Sequence, residues 1–425
     1  MQKKLLKNAI IPNLKAKTLD RGDILIDENG TIAKIGNLDG EASSDTMVID
    51  CDGKYALPGF IDLHTHLREP GFEYKEDIVT GTAAAAAGGY TTVVAMPNTK
   101  PAVDSAEVID FILSKAEREG SCTVLTTANI TVGAKGEELV DFDALYKAGA
   151  VAFTDDGRPV SNPAVMREAM KRCAEKDYLI MSHSEELALA EGGAMNEGPT
   201  AKKLSVKGIP DSAESVAVAR EVLLAEETGC RLHICHVSTE ASLNIIRDAK
   251  KRGVKVTCET CPHYFFFDDT AVEAYGVNAK MSPPLRSERC VKAVKAALAD
   301  GTIDCISTDH APHSEEEKSA GLEKAPNGIT GIQTAFSASV TALLDTGVID
   351  IFRLIELTSV KPAEIIGVRS GIEVGNPANI CIADIGKKYT LEKSMLKSKS
   401  FNTPFIGITL SGTVEHTINN GEIRV

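Results

Sequence analysis

Residues 150–184 read AVAFTDDGRPVSNPAVMREAMKRCAEKDYLIMSHS, and the order of patterns inside them decides the fold. An apolar run, AVAF, ends in the polar TDD. A helical segment follows, with Asn162 as N-cap and Pro163 in the first turn, and a second apolar run, YLIM, ends in SHS. This is strand, helix, strand. The same kind of run precedes it as PGFIDLH (58–64), YTTVVAMPN (90–98) and TVLTTANI (123–130), and follows it as RLHICHVS (231–238), VKVTCETCPHY (254–264) and IDCISTDHAPH (303–313). Helical patterns separate the runs, among them SAESVAVAREVLLAEETG, closed by Gly229, and AAAAAGG (83–89), whose small side chains let a helix approach a sheet closely. Eight such repeats predict an α/β chain folded as a (β/α)8 TIM-like barrel.

The flanks have another character. KNAII (7–11) and GDILIDENGTIAKIG (22–36) alternate like strands, with a hairpin at Glu28-Asn29-Gly30; NICIADI (379–385) and ITLSGTVEHTINNGEIRV (408–425) do the same around a second Asn-Gly turn. We therefore expect residues 1–54 and 370–425 to form one small β-sandwich domain from both termini, with the barrel spanning 55–369.

With 425 residues and a net charge of -14, the chain has no global attraction for nucleic acid or an anionic membrane. Asn8, Pro12 and Lys15 break the apolar start, so it does not read as a secretory signal, and the ten scattered cysteines are expected as reduced thiols in a cytoplasmic protein. Cys258 and Cys261 have knuckle spacing but no second CxxC; we read them as buried strand residues.

Nearly every apolar run ends in His, Asp or Asn, and in such barrels the C-terminal strand ends share one face. The strand-end groups are His64, His66, Asp156, His183, His236 and Asp309. Four imidazoles and two carboxylates exceed what one catalytic zinc takes from protein, so they point to two metals sharing a carboxylate. His233, at odd spacing from His236, should face away, and His263 and His416 are assigned to structure. Arg68 follows the His64/His66 pair by two positions. A cation beside a metal centre calls for an anion between them, unless Arg68 merely pairs with Glu69 or Glu73 on the surface. The segments 186–211 and 314–330 are long and Gly-rich, as expected of lids.

The motifs GFIDLHTHLREPG (59–71), MPNT (96–99), AFTDDG (152–157), SHSE (182–185), HICHVST (233–239), MSPPLR (281–286) and STDHAPH (307–313) resemble dihydroorotase of the bacterial class I type, within the amidohydrolase superfamily. The resemblance implies reversible cyclisation of N-carbamoyl-L-aspartate to L-dihydroorotate in pyrimidine synthesis, with two zinc ions per chain. It implies that His64, His66 and Asp309 hold one zinc, His183 and His236 the other, and that Asp156 bridges, with Asp309 also carrying the proton. AFTDDG lacks the lysine many relatives use as bridge, and leaves Asp155 as the lesser alternative to Asp156. Arg68, Asn98 and His313 match positions that hold the substrate. Ser282 stands where the family often has Asn, and Asn327, beside Gly328, where Phe is common; these complete the substrate side of the expected site. The implied partners are the small substrate, a second copy in a homodimer, and aspartate transcarbamoylase. The competing readings are another cyclic-amide hydrolase, such as allantoinase or hydantoinase, and a silent scaffold for aspartate transcarbamoylase.

Overall fold

In the computed structural model, which describes residues 1–425, strands and helices alternate as the sequence pattern dictates. The eight barrel strands are Phe60–Thr65, Tyr90–Ala95, Thr123–Ala128, Ala150–Phe153, Leu179–Ser182, Arg231–Ile234, Val256–Thr260 and Cys305–Ile306. They pair in chain order and in parallel. The eighth strand meets the first through a parallel bridge between Thr65 and His310, where the His66 N–H donates to the His310 carbonyl at 2.9 Å. The barrel thus closes at the rim that carries the polar strand ends.

Local chemistry explains the helices. In Pro163–Glu175, the Asn162 side chain accepts the Ala164 N–H, and Met166, Ala169, Met170 and Cys173 bury one stripe against the strands. Ser212–Thr228 stops where Gly229 takes a left-handed φ of 72°. Ile78–Ala87 starts in a capping box at Asp77 and buries Ala84, Ala85 and Ala86. A Cβ on Gly88 would lie 2.4 Å from the Ile332 carbonyl oxygen, so this close approach admits only glycine. Ile61, Leu63, Val94, Met96, Met181 and Cys305, drawn from strands around the barrel, pack together as its interior core.

The termini form one eight-stranded sheet. Lys4–Asn13, Thr18–Ile26, Ile32–Gly36, Met47–Asp50 and Tyr55–Pro58 come from the N-terminal side, and Ile380–Thr390, Thr409–Asn419 and Glu422–Ile423 from the C-terminal side. The seam is the antiparallel pairing of Tyr55–Pro58 with Ile380–Ala383. The small β domain is therefore a single curled sheet, and it encloses Leu6, Ile24, Ile26, Ala56, Ile380 and Ile418. Between the two long C-terminal strands, residues 398–402 leave the sheet and reach the barrel rim. Lys399 N–H donates to Glu76 at 3.1 Å, Ser400 to the Lys75 carbonyl at 2.6 Å, and Asn402 to the Ala311 and Gly328 carbonyls at 3.0 and 2.9 Å.

All ten cysteines are buried and unpaired, Cys258 and Cys261 included. No helix is long and apolar enough to cross a membrane. Both expected lid segments are braced. Within 186–211, Met195–Asn196 pairs with Gly208–Ile209, and in 314–330 the buried Lys318 ammonium donates to the Pro326 and Gly328 carbonyls, each at 3.0 Å.

Candidate metal centre and substrate pocket

The six strand-end groups converge, and all six are buried. Asp156 lies at their centre. Its Oδ1 is 3.3 Å from His64 Nε2, 3.6 Å from His183 Nδ1 and 3.9 Å from His236 Nε2, while its Oδ2 is 3.4 Å from His66 Nε2. Asp309 Oδ1 stands 3.0 Å from His66 Nε2 and 3.6 Å from His64 Nε2. His183 Nδ1 and His236 Nε2 are 2.9 Å apart. Asp155 points elsewhere, accepting the Ile130 and Thr131 N–H groups at 2.9 and 3.2 Å.

His64 Nε2 and Asp156 Oδ1 have no hydrogen-bond partner although both are buried. Buried polar atoms are seldom left so, because each forfeits its hydration. Imidazole nitrogens and carboxylate oxygens facing one space are the donor set a divalent cation takes, so the residues present fit a metal centre. Their charges are strongly coupled. Burial alone would raise Asp156, but the His64 and His183 imidazoles hold it well below the usual carboxylate range. Burial opposes the His183 cation, yet Asp156 and Glu185 push this ring up to about 10, while burial and His183 push His236 down to about 3. Arg68, His236 and Asp309 also occupy left-handed backbone, with φ of 63°, 38° and 43°, a cost that surrounding contacts must offset.

A cavity of about 260 Å³ opens beside the cluster, lined by His66, Asp156, His183 and Asp309 on one side and by Arg68, Asn98, Ser282, His313 and Asn327 on the other. Arg68 Nε donates to the Pro312 carbonyl at 3.2 Å, and its Nη2 lies 3.3 Å from His313 Nε2. It has neither of the acidic neighbours that a surface pair would use: Glu69 takes Lys115 at 2.6 Å, and Glu73 accepts the Gly71 N–H at 2.8 Å. His313 Nε2–H donates to the Asn327 carbonyl at 2.9 Å; burial, Arg68 and Lys75 push its pKa down to about 3, which keeps the ring neutral. Asn98 lines the cavity and also contacts the cluster, with Oδ1 2.9 Å from His66 Nδ1 and Nδ2 3.4 Å from Asp156 Oδ2. Ser282 donates to Glu185 at 3.0 Å. Gly328 is outside the cavity wall and backs His313, where a Cβ would lie 2.6 Å from the ring.

Four further residues, faintly marked in the sequence or not at all, shape this site. Glu185 lies 3.6 Å from His183 Nε2, and its place directly after SHS was a usable signal. Glu259 contacts His64, and in CETC it is a lone acid between cysteines, with no metal-ligand spacing of its own to mark it. Asp62 accepts the Thr308 N–H at 2.9 Å and so ties the first strand to the eighth. Asn402 accepts the His313 N–H at 3.0 Å, and nothing in its local sequence marks it.

Among solved structures, L-hydantoinase (dihydropyrimidinase) from Arthrobacter aurescens superposes with a TM-score of 0.88 at 25% identity, covering 100% of this chain and 96% of its own. A D-hydantoinase (dihydropyrimidinase) from Thermus sp. does so with a TM-score of 0.82 at 28% identity, covering 99% and 94%. Barrel, polar rim and adjoining cavity define a cyclic amidohydrolase. Residues 53–242 match the family described as dihydro-orotase-like. The dihydroorotase of Trichlorobacter lovleyi is 48% identical over 95% of each chain, and that of Acetivibrio thermocellus is 45% identical over 99% of this chain and 98% of its own. The chain belongs to the dihydroorotase family.

Proposed function

We propose that this chain is a dihydroorotase that interconverts N-carbamoyl-L-aspartate and L-dihydroorotate in pyrimidine synthesis, with two zinc ions at the strand-end cluster. His64, His66 and Asp309 would hold one ion, His183 and His236 the other, and Asp156 would bridge them. When bound, the ions would supply a nucleophile from water near neutral pH and polarise the ring carbonyl. The proton is handled by Asp309. Burial works against its charge, but His64 and His66 hold its carboxyl well below the usual range, so it is ionised and has a lone pair free to accept a proton. It takes the proton of the attacking water and returns it to the ring nitrogen as the C–N bond breaks; cyclisation runs the same transfer backwards. The same reading assigns the enzyme to the cytoplasm, as a homodimer or beside aspartate transcarbamoylase.

One observation carries the choice of substrate. Arg68 presents a guanidinium to the cavity with no carboxylate partner, 3.3 Å from a His313 nitrogen that already donates its proton to Asn327. Two donors this close are relieved by an anion between them, and both substrate and product carry a carboxylate beside the reacting nitrogen. Relatives of 45% and 48% identity named dihydroorotase support the same choice. Arg68→Met should keep its metals and lose about 30-fold to several thousand-fold in dihydroorotate turnover at low substrate. Dihydrouracil, the same ring without the carboxylate, should be a poor substrate for both proteins. A wild type that prefers dihydrouracil, or a variant that loses both activities equally, would shift the assignment to a hydantoinase.

A further inference from the structure

Behind the strand-end cluster lies a second buried polar group that the reaction itself does not use. Glu259, on the seventh barrel strand, places Oε1 3.0 Å from His64 Nδ1 and Oε2 3.2 Å from His233 Nε2, and also accepts the Ser307 hydroxyl. His233 Nδ1 is 2.8 Å from Thr257 Oγ1. Glu259, His233, His64 and Ser307 are all fully buried. We infer that Glu259, steadied by the Ser307 hydroxyl, is a positioning residue that holds His64 in the tautomer able to bind a cation. The inference rests on the metal-centre reading above.

An ionised carboxylate only accepts, so the His64 ring aligned with Oε1 must show it Nδ1–H. In His64 the lone pair is left on Nε2, the buried atom that has no hydrogen-bond partner and faces Asp156 and Asp309. The other neutral tautomer would set two acceptors 3.0 Å apart in a dry interior, a loss no water could repair. Anchoring Oε2 on the Ser307 hydroxyl keeps Oε1 on His64, and the negative charge makes His64 a stronger donor through Nε2. His66 has only the neutral Asn98 amide at the equivalent nitrogen.

The test is metal competition. Glu259→Gln, loaded with zinc and titrated with a chelator, should bind one of two ions about 10- to 100-fold more weakly and keep the other. The metal-free variant should melt close to the metal-free wild type, and imidazole nitrogen spectra should show His64 losing its fixed Nδ1–H form. Ser307→Ala should weaken the same ion by a smaller factor, and serves alone if Glu259→Gln does not fold. Unchanged affinity for both ions, or equal loss of both, overturns the inference. Failure of the metal-centre reading looks different: His64→Ala would then bind as many ions as the wild type.

Discussion

The two halves of the strand-end cluster are built on different principles. In the strand-one half, His64 is fixed from behind by Glu259 at 3.0 Å and His66 by Asn98 at 2.9 Å, while Asp62 ties the supporting strand across the barrel seam. In the strand-five and strand-six half, His183 and His236 turn nitrogens towards each other at 2.9 Å, and Glu185 stands 3.6 Å from His183 on the cavity side. One half holds its geometry with protein alone. The other holds two imidazoles in an arrangement that needs a shared proton or a cation. Support from neighbouring side chains is thus concentrated around His64 and His66 and is thinner around His183 and His236.

The largest effect should come from the preorganised half. Asp309→Asn preserves shape and removes the carboxylate, so in fully metal-loaded protein turnover should fall by about 10²- to 10⁴-fold. Less than about tenfold loss with full metal content would move the proton to another group and break the functional side of the comparison. Chelation should next separate the halves. Metal should leave in two steps, and His183→Ala should begin at about one ion per chain and lack the first, easier step. A single step removing both ions, in wild type and variant alike, would mean that the halves are equivalent. The smallest effect should follow Ser282→Ala, which frees Glu185 from its 3.0 Å hydrogen bond. One such bond is worth about 1 kcal/mol, so the easier ion should bind roughly fivefold more weakly, with the tighter ion unmoved.

Much of this was legible in the sequence because it is local. Alternation of apolar runs with helical stripes sets strands and helices, and caps such as Asn162 and Gly229 are read from adjacent residues. The polar ends of the runs name the members of the cluster, since parallel strands in a barrel finish on one face. The lesser candidate Asp155 shows the limit: two neighbouring carboxylates look alike in sequence, and only backbone direction at the strand end sends Asp156 to the imidazoles and Asp155 to the Ile130 and Thr131 amides.

The sequence by itself determined the barrel, the identity of the converging histidines and aspartates, and the presence of an arginine beside them, because each depends on periodicity or position along a strand. Tertiary structure alone decided how those groups are supported. Glu259 meets His64 across 195 residues, and Asn402 meets His313 across 89, from a segment that otherwise belongs to the terminal sheet. Such pairings arise when the barrel closes and the C-terminal segment is laid over its rim, and a hydrogen bond between residues so distant has no periodic trace in the chain.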